Sequence, residues 1–280
     1  KNMKSYRKAK LKILTNYLEE KGTAIFNSKI HIPKKIMKIL YRKSVKIITY
    51  GSKKSNLYIT KKNKKFLLSI NNKKYNLALN LLNDYDIKNL ECSICIALAM
   101  GIKKKYIIKK ISNVSRPPGR MEKCNNMYNN SKVFVDFAHT PDALKNILIS
   151  TYKSLGKKPN LVFGCGGNRD RSKRIIMGKI ASTYSQNIYI TDDNPRNEKP
   201  EIIRLEILKG CPNAQIVEDR KKAIKTAINK LRQKEVLIVA GKGHEKYQAI
   251  KEKKIPFDDV KIVNKFIKEM NKKNAKTIQK

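Results

Sequence analysis

Val236-Leu237-Ile238-Val239, followed by Ala240-Gly241-Lys242-Gly243-His244-Glu245, is an apolar run that ends abruptly in glycines and charge. A run without polar alternation reads as a strand buried on both faces, as in parallel sheets. Just upstream, Ala223, Ile224, Ala227, Ile228 and Leu231 recur at helical spacing behind Asp219, a good helix-capping residue. The same alternation runs back along the chain. Ile188-Tyr189-Ile190, Leu161-Val162-Phe163 and Val133-Phe134-Val135 read as strands. Helices are expected from about Lys173 and from Pro141, the latter with Leu144, Ile147 and Leu148 on one face. Strands alternating with helices predict an α/β fold built on a mostly parallel sheet.

Ahead of this series stands Ser115-Arg116-Pro117-Pro118-Gly119. Two prolines and a glycine forbid a continuing helix and suit a linker, so the chain divides into 1–115 and 116–280. In the first part Tyr6, Ala9, Ile13, Tyr17 and Leu18 have helical spacing. Strands at Thr23–Phe26 and Val45–Tyr50 flank a helix after Pro33, and short β segments fill Leu57 to Leu79 with Asn71-Asn72 at a turn. Leu90 to Met100 reads as an apolar helix closed by Gly101. The lysine-rich stretch after Phe266 is expected to be helical.

The 280 residues carry 64 Lys and Arg against 22 Asp and Glu, a net charge of +42. The lysines are spread evenly and travel with Asn and Ile, as an AT-rich coding sequence would write them. No basic stripe is interleaved with aromatics for base stacking, so no nucleic-acid partner is expected. No apolar run approaches membrane-spanning length and no signal-peptide core opens the sequence, so a cytoplasmic protein without membrane insertion is expected. Position 1 is not Met, consistent with a chain that begins mid-protein. Five scattered cysteines argue against a disulfide framework. Cys92-x-x-Cys95 has no second pair and reads as buried small residues rather than a metal site.

Four clusters of unusual residues each follow a predicted strand. They are Asp136-Phe137-Ala138-His139, Gly164-Cys165-Gly166-Gly167-Asn168-Arg169-Asp170, Asp192-Asp193-Asn194-Pro195-Arg196, and the Gly241 loop. In an open parallel sheet the carboxyl ends of the strands share one edge, where ligands bind. Gly164, Gly166 and Gly167 would allow positive φ and close backbone approach. Arg169 and Arg196 offer planar forks for a carboxylate, and Asp193, Asn194 and Glu245 offer acceptors for an ammonium. Together they describe a pocket for a zwitterion such as an amino acid. The alternative is that Arg169, Asp170 and Arg196 form ordinary surface ion pairs. His139 and His244 flank the loops without completing a nucleophilic triad, and Cys165 lacks an evident base.

These residues resemble the Mur ligases, in the branch that adds diaminopimelate. The likeness runs through Pro118-Gly119-Arg120-Met121-Glu122, Asp136-Phe137-Ala138-His139-Thr140-Pro141-Asp142-Ala143-Leu144, Phe163 to Asp170, Thr191 to Arg196, and Ala240 to Gln248. It is dense from about residue 116 to 260 and traceable earlier at Tyr6-Arg7-Lys8-Ala9-Lys10 and Asn89-Leu90. The resemblance implies the end of a central ATPase domain (1–115) followed by a Rossmann-like, amino-acid-binding C-terminal domain (116–280). It implies an ATP-dependent ligase of peptidoglycan precursor synthesis, in which the D-glutamate carboxylate of UDP-MurNAc-L-Ala-D-Glu is phosphorylated and the amine of meso-diaminopimelate displaces the phosphate.

The resemblance also implies roles. Arg169, Asp193, Asn194, Pro195, Arg196, Gly241 and Glu245 match contacts to diaminopimelate. Arg120, Asp136 and His139 match positions near the ATP ribose, with His139 also in a catalytic position. Lys10 matches a carbamylated catalytic lysine that helps bind Mg²⁺, although as a residue it reads equally as one more solvated lysine. The sequence departs from the family pattern at Asn168, Phe137 and Ile175, where aspartate, tyrosine and proline are usual. No segment of the form G-x-x-G-K-[ST] is present to cradle ATP phosphates, and no uridine-nucleotide domain. A fragment is therefore expected, with a separate chain carrying the phosphate loop as one possible partner. An inactive remnant, a split-gene subunit, and a ligase adding another amino acid such as lysine stand as alternatives.

Overall fold

The central strands form where apolar residues run together, and the chain turns where Asn, Gly and Pro interrupt them. The computed structural model describes residues 3–62, 65–79 and 84–278. The chain forms two compact units, Lys1–Ser115 and Arg116–Lys280.

The first unit begins with α1 (Met3–Lys12), which widens into a π-helical turn over Ile13–Tyr17. The extra residue per turn breaks the 3.6-residue register. As a result the expected stripe does not reach a core: Tyr6, Ile13 and Tyr17 are exposed, and only Leu18, with Leu14, packs inward. Next come β1 (Thr23–Asn27), α2 (Lys34–Arg42), β2 (Lys46–Tyr50), β3 (Leu57–Lys62), β4 (Lys65–Ile70) and β5 (Lys73–Leu77). They form one sheet in that strand order, parallel from β1 to β3 and antiparallel from β3 to β5. Asn71 and Asn72 both take left-handed φ, +46° and +67°, which matches the two-residue turn to the strand twist. Then α3 (Asp84–Ala99) starts earlier than its apolar run, and α4 (Lys104–Ile111) follows Gly101. Ile87, Leu90, Ile94 and Cys95 of α3 pack on Leu57, Leu68 and Ile70.

The second unit runs β6 (Glu122–Lys123), β7 (Lys132–Asp136), α5 (Pro141–Leu155), β8 (Asn160–Phe163), α6 (Ser172–Tyr184), β9 (Ile188–Ile190), α7 (Pro200–Leu208), β10 (Gln215–Ile216), α8 (Arg220–Asn229), β11 (Val236–Ala240), β12 (Tyr247–Ile250), β13 (Lys253–Pro256) and α9 (Asp259–Ile278). Its sheet order is β10-β9-β8-β11-β7-β6, parallel throughout except for β6. Apolar clusters cover both faces. One joins Leu144, Leu148, Met177, Ala181 and Ile207 to Leu161, Phe163 and Ile238. The other joins Ala223, Ile224, Ala227, Val263 and Ile267 to Val133, Leu237 and Val239. This two-sided burial is why the strands read as continuous apolar runs. Thr140 caps α5 by accepting from Ala143 N, and Asp219 caps α8 by accepting from Lys222 N. Each therefore fixes where its helix leaves the strand-end loops.

Candidate functional site

Because β7, β8, β9 and β11 are mutually parallel, their four following loops meet at one sheet edge. A cleft of about 570 Å³ at the opposite edge, lined by Ser185, Asn187, Tyr189, Lys230 and Glu235 among others, contains none of the predicted site residues.

The glycines of the β8 loop are there for a different reason than expected. Neither Gly164, Gly166 nor Gly167 has positive φ. Instead, a Cβ on Gly164 would stand 2.1 Å from Thr191 O, and one on Gly167 would stand 1.9 Å from Pro195 O. The β8 and β9 loops lie backbone against backbone, and Gly167 N donates to Asn194 O at 2.9 Å. Missing side chains at these positions bring Arg169 and Arg196 onto one surface. A Cβ on Gly166 would stand 2.8 Å from Arg196 Nη1, so its absence leaves room for the guanidinium.

Arg196 takes φ +51°, which its surroundings enforce. Its N donates to Ala249 O at 3.0 Å and its O accepts from Lys251 N at 2.8 Å, so β12 and its turn hold it. One arm of the guanidinium, Nη1, donates to Gly167 O at 2.9 Å and Asn194 O at 3.4 Å. Among the described residues no partner meets Nε or Nη2. Arg169 is exposed and likewise unpaired among the described residues, while Asp170 accepts from Ser172 N and Oγ. The surface ion-pair alternative for Arg169, Asp170 and Arg196 is thus not what forms.

The expected ammonium acceptors are engaged by the protein itself. Lys242 is fully buried, and its Nζ donates to Asn194 Oδ1 at 2.9 Å and Glu245 Oε2 at 3.1 Å. Asn194 Nδ2 donates to the same Glu245 oxygen at 2.9 Å, and Ala249 N donates to Asn194 Oδ1 at 2.8 Å. Burial alone would raise the Glu245 carboxyl, but the bonds from Asn194 and Lys242 outweigh it and hold the group below its usual range. Asp193 is different again. It is buried beneath Gly241 (φ +118°), whose Cβ would stand 2.6 Å from Asp193 Oδ2. Burial pushes its carboxyl upward against the pull of Arg220 and Lys242, and among the described residues Oδ2 has no hydrogen-bond partner. Asp193 therefore shapes the floor of the site.

Two buried arginines, invisible to motif reading, hold the loops. Arg174 of α6 pairs with Glu198 at 2.9 Å and Glu206 at 2.7 Å and donates to Gly166 O. Arg220 at the start of α8 bonds Asp259 through Nε at 2.9 Å and Nη2 at 2.7 Å, and its Nη2 also donates to Ala240 O at 3.0 Å. That carbonyl immediately precedes Gly241. Their acidic partners lie 24 to 39 residues along the chain, so the pairing left no local pattern to find.

At the end of β7, Asp136 is nearly buried and accepts from Met121 N and Ala138 N, both at 2.7 Å. Its two oxygens organise the loop. Arg120 lies over the Phe137 ring at 4.8 Å, with His139 and His244 against the same ring at 4.6 Å and 5.0 Å. His139 Nδ1 meets Phe137 O at 2.8 Å. The Gly243 position packs on Phe137 Cβ, so this aromatic cluster and the Lys242 network share one loop. Lys10 lies in the other unit, on exposed α1, with its ammonium 5.6 Å from the Tyr6 ring.

Cys165 is buried, and burial pushes its thiol up to about 12. The thiolate fraction at pH 8 is then negligible, so native protein treated with iodoacetamide at that pH should leave Cys165 unmodified by peptide mass spectrometry. Rapid native labelling of Cys165 would reopen it as a nucleophile.

A family model described as "Mur ligase, glutamate ligase domain" matches residues 119–243, and one described as "Mur ligase middle domain" matches residues 1–97. The chain belongs to the Mur ligase family. The Rickettsia rickettsii protein named UDP-N-acetylmuramoyl-L-alanyl-D-glutamate--2,6-diaminopimelate ligase is 41% identical to this Mur ligase chain over 273 residues, 94% of the chain and 56% of that protein. An Aquifex aeolicus protein of the same name is 39% identical over 275 residues, 95% and 55% respectively. A solved ligase of that name superposes with a TM-score of 0.59 at 28% identity, covering 96% of this chain and 57% of that one. A folylpolyglutamate synthase from Thermotoga maritima shares the fold, with a TM-score of 0.62 at 18% identity. The Mur ligase chain therefore spans little more than half the length of the relatives it matches.

Proposed function

We propose that this chain supplies the amino-acid-binding part of an ATP-dependent Mur ligase that joins meso-diaminopimelate to UDP-MurNAc-L-Ala-D-Glu through an acyl phosphate, in the cytoplasm. The observation that carries the reading is the juxtaposition, on one sheet edge, of a half-open Arg196 guanidinium and the Glu245 carboxylate fixed by Lys242 and Asn194. Such a pair fits a zwitterion, and the exposed Arg169 adds a place for a second carboxylate. Arg169, Asn194, Arg196, Gly241 and Glu245 would bind and orient the amino acid. Asp193 and Pro195 would support them from the β9 loop, where Asp193 is buried and Pro195 packs against Gly167.

ATP would supply the phosphoryl group that activates the glutamate carboxylate. The residues present fit its nucleoside end only: Arg120, Phe137 and His139 offer an exposed face, while the Asp136 oxygens are engaged with backbone amides. Phosphate-cradling residues would come from outside these 280. For Mg²⁺ the fit fails, since among the described residues no group of three or more His, Cys, Asp or Glu could hold a metal ion. Lys10 alone makes no such site, and no step is assigned to it. Among the described residues no helix is long and apolar enough to cross a membrane.

Titration of the isotopically labelled chain with meso-diaminopimelate, followed by amide NMR, tests the reading. Shifts should concentrate on Arg169, Asn194, Arg196 and Gly241, with L-lysine binding at least about tenfold more weakly for want of a second carboxylate. Equal binding of the two ligands, or shifts confined to other surfaces, would refute the assignment.

A further inference from the structure

Lys242 is the buried titratable group that the proposed chemistry leaves without a task. It is a lysine with a wholly buried side chain, beside a site meant for a substrate that itself carries ammonium groups. Buried ammonium is costly unless paired, and here it is paired twice, to Asn194 Oδ1 and Glu245 Oε2. Asn194 Nδ2 closes the ring by donating to the same Glu245 oxygen. Two consequences follow from this three-membered ring. Glu245 Oε2 is saturated, so among the described residues only Oε1 is left to face a ligand. The Glu245 charge is also cancelled from within. The groups bearing on Glu245 are then Lys242, Arg196, Arg220 and Asp193. Arg220 is matched by Asp259 at 2.7 Å, and Asp193 lies buried beneath Gly241. What remains uncancelled at the mouth is the positive charge of Arg169 and Arg196.

We propose that Lys242 is a specificity-determining residue: an internal counter-ion that neutralises Glu245 and thereby makes the site select an amino acid carrying a second carboxylate over a singly carboxylated, cationic one. Without it, Glu245 would present a full negative charge to any ammonium, and a basic amino acid would gain more from that charge than a dicarboxylic one. Lys242 acts through Glu245 and Asn194 and touches no ligand, so it is a positioning residue. The inference rests on the reading of this site as an amino-acid pocket.

The test compares affinities of the full chain for meso-diaminopimelate and L-lysine by NMR titration, in wild type, Lys242→Met, Lys242→Gln, Glu245→Gln and the double variant Lys242→Gln with Glu245→Gln. Lys242→Gln keeps a hydrogen-bond donor without the charge and guards against a Lys242→Met protein that does not fold. The expected result is a fall of about tenfold in preference for diaminopimelate in either Lys242 variant, the size of one charge interaction in a half-buried site. In the Glu245→Gln background, Lys242→Gln should leave the preference unchanged, because the charge it balances is gone. Equal weakening of both ligands in the Lys242 variants, or a loss of preference that persists with Glu245→Gln, overturns the inference and leaves Lys242 a packing residue. If wild type binds neither ligand, the amino-acid reading of the site falls and this inference with it. If wild type prefers diaminopimelate through Arg196 and Lys242→Gln does not alter that preference, the inference alone falls.

Discussion

Replacing Arg196 with alanine is expected to weaken diaminopimelate by about 10- to 100-fold while leaving ATP use and thermal stability nearly unchanged. The range is what losing one charge-assisted bond of about 1.5–3 kcal/mol would give. The arginine is unusually well prepared for that role. Backbone bonds to Ala249 and Lys251 hold it at positive φ, and Nη1 is anchored on Gly167 O and Asn194 O. Little side-chain freedom is left to lose on binding, so more of the gross interaction survives as affinity. Alanine carries the same Cβ as arginine, so the left-handed backbone is no more strained in the variant than in the parent. Arg196→Lys should recover only part of the loss, since an ammonium cannot bind two carboxylate oxygens as a planar fork does. In an enzyme reconstituted with the missing upstream residues, KM for diaminopimelate should rise and KM for ATP should hold. Matching rises in both would remove Arg196 from the amino-acid site.

The largest stability effect is expected at Asp259. Its pair with Arg220 has both side chains fully buried, with bonds of 2.9 Å and 2.7 Å, and Arg220 also grips the carbonyl of Ala240. Asp259→Ala would leave a buried guanidinium uncompensated, at a cost of about 3–5 kcal/mol. For a unit of this size that corresponds to a melting midpoint lower by about 10 °C. Exchanging both partners for apolar residues, Arg220→Met with Asp259→Leu, should cost much less than the single change, because no stranded charge remains. Denaturant melts of the three proteins would check this. A double variant as damaged as Asp259→Ala would mean that the pair's shape, rather than its charge, matters.

The parallel sheet and the gathering of four loops at one edge were legible in the sequence because strands buried on both faces leave apolar runs. Residues such as Gly241 and Arg196, which interrupt those runs, mark the loops. The chemistry was legible by type but not by partner. Asn194 and Glu245 looked like acceptors awaiting a ligand. Their actual partner, Lys242, was hidden among many lysines, since burial is not written in composition. The β8 glycines looked like conformational hinges, and sequence could not reveal that Thr191 O and Pro195 O occupy the space where their side chains would be. Arg174, Arg220 and Asp259 were missed because they are distant in sequence from the partners that explain them. At the amino end, the helical spacing was real, but a π turn rotated the stripe away from the core.

The strand order carries a consequence for how the molecule comes into being. β11 is the last of the parallel strands in the chain, yet it lies between β7 and β8 at the middle of the sheet. As the polypeptide emerges from the ribosome, β7 and β8 have no mutual pairing to make and must wait for a distant segment. Such non-local closure is slow and leaves apolar edges uncovered in the interval, the period of greatest exposure to aggregation and to chaperones. The strand that ends this interval also delivers Gly241, Lys242 and Glu245. The candidate site is therefore completed only once this late segment is in place.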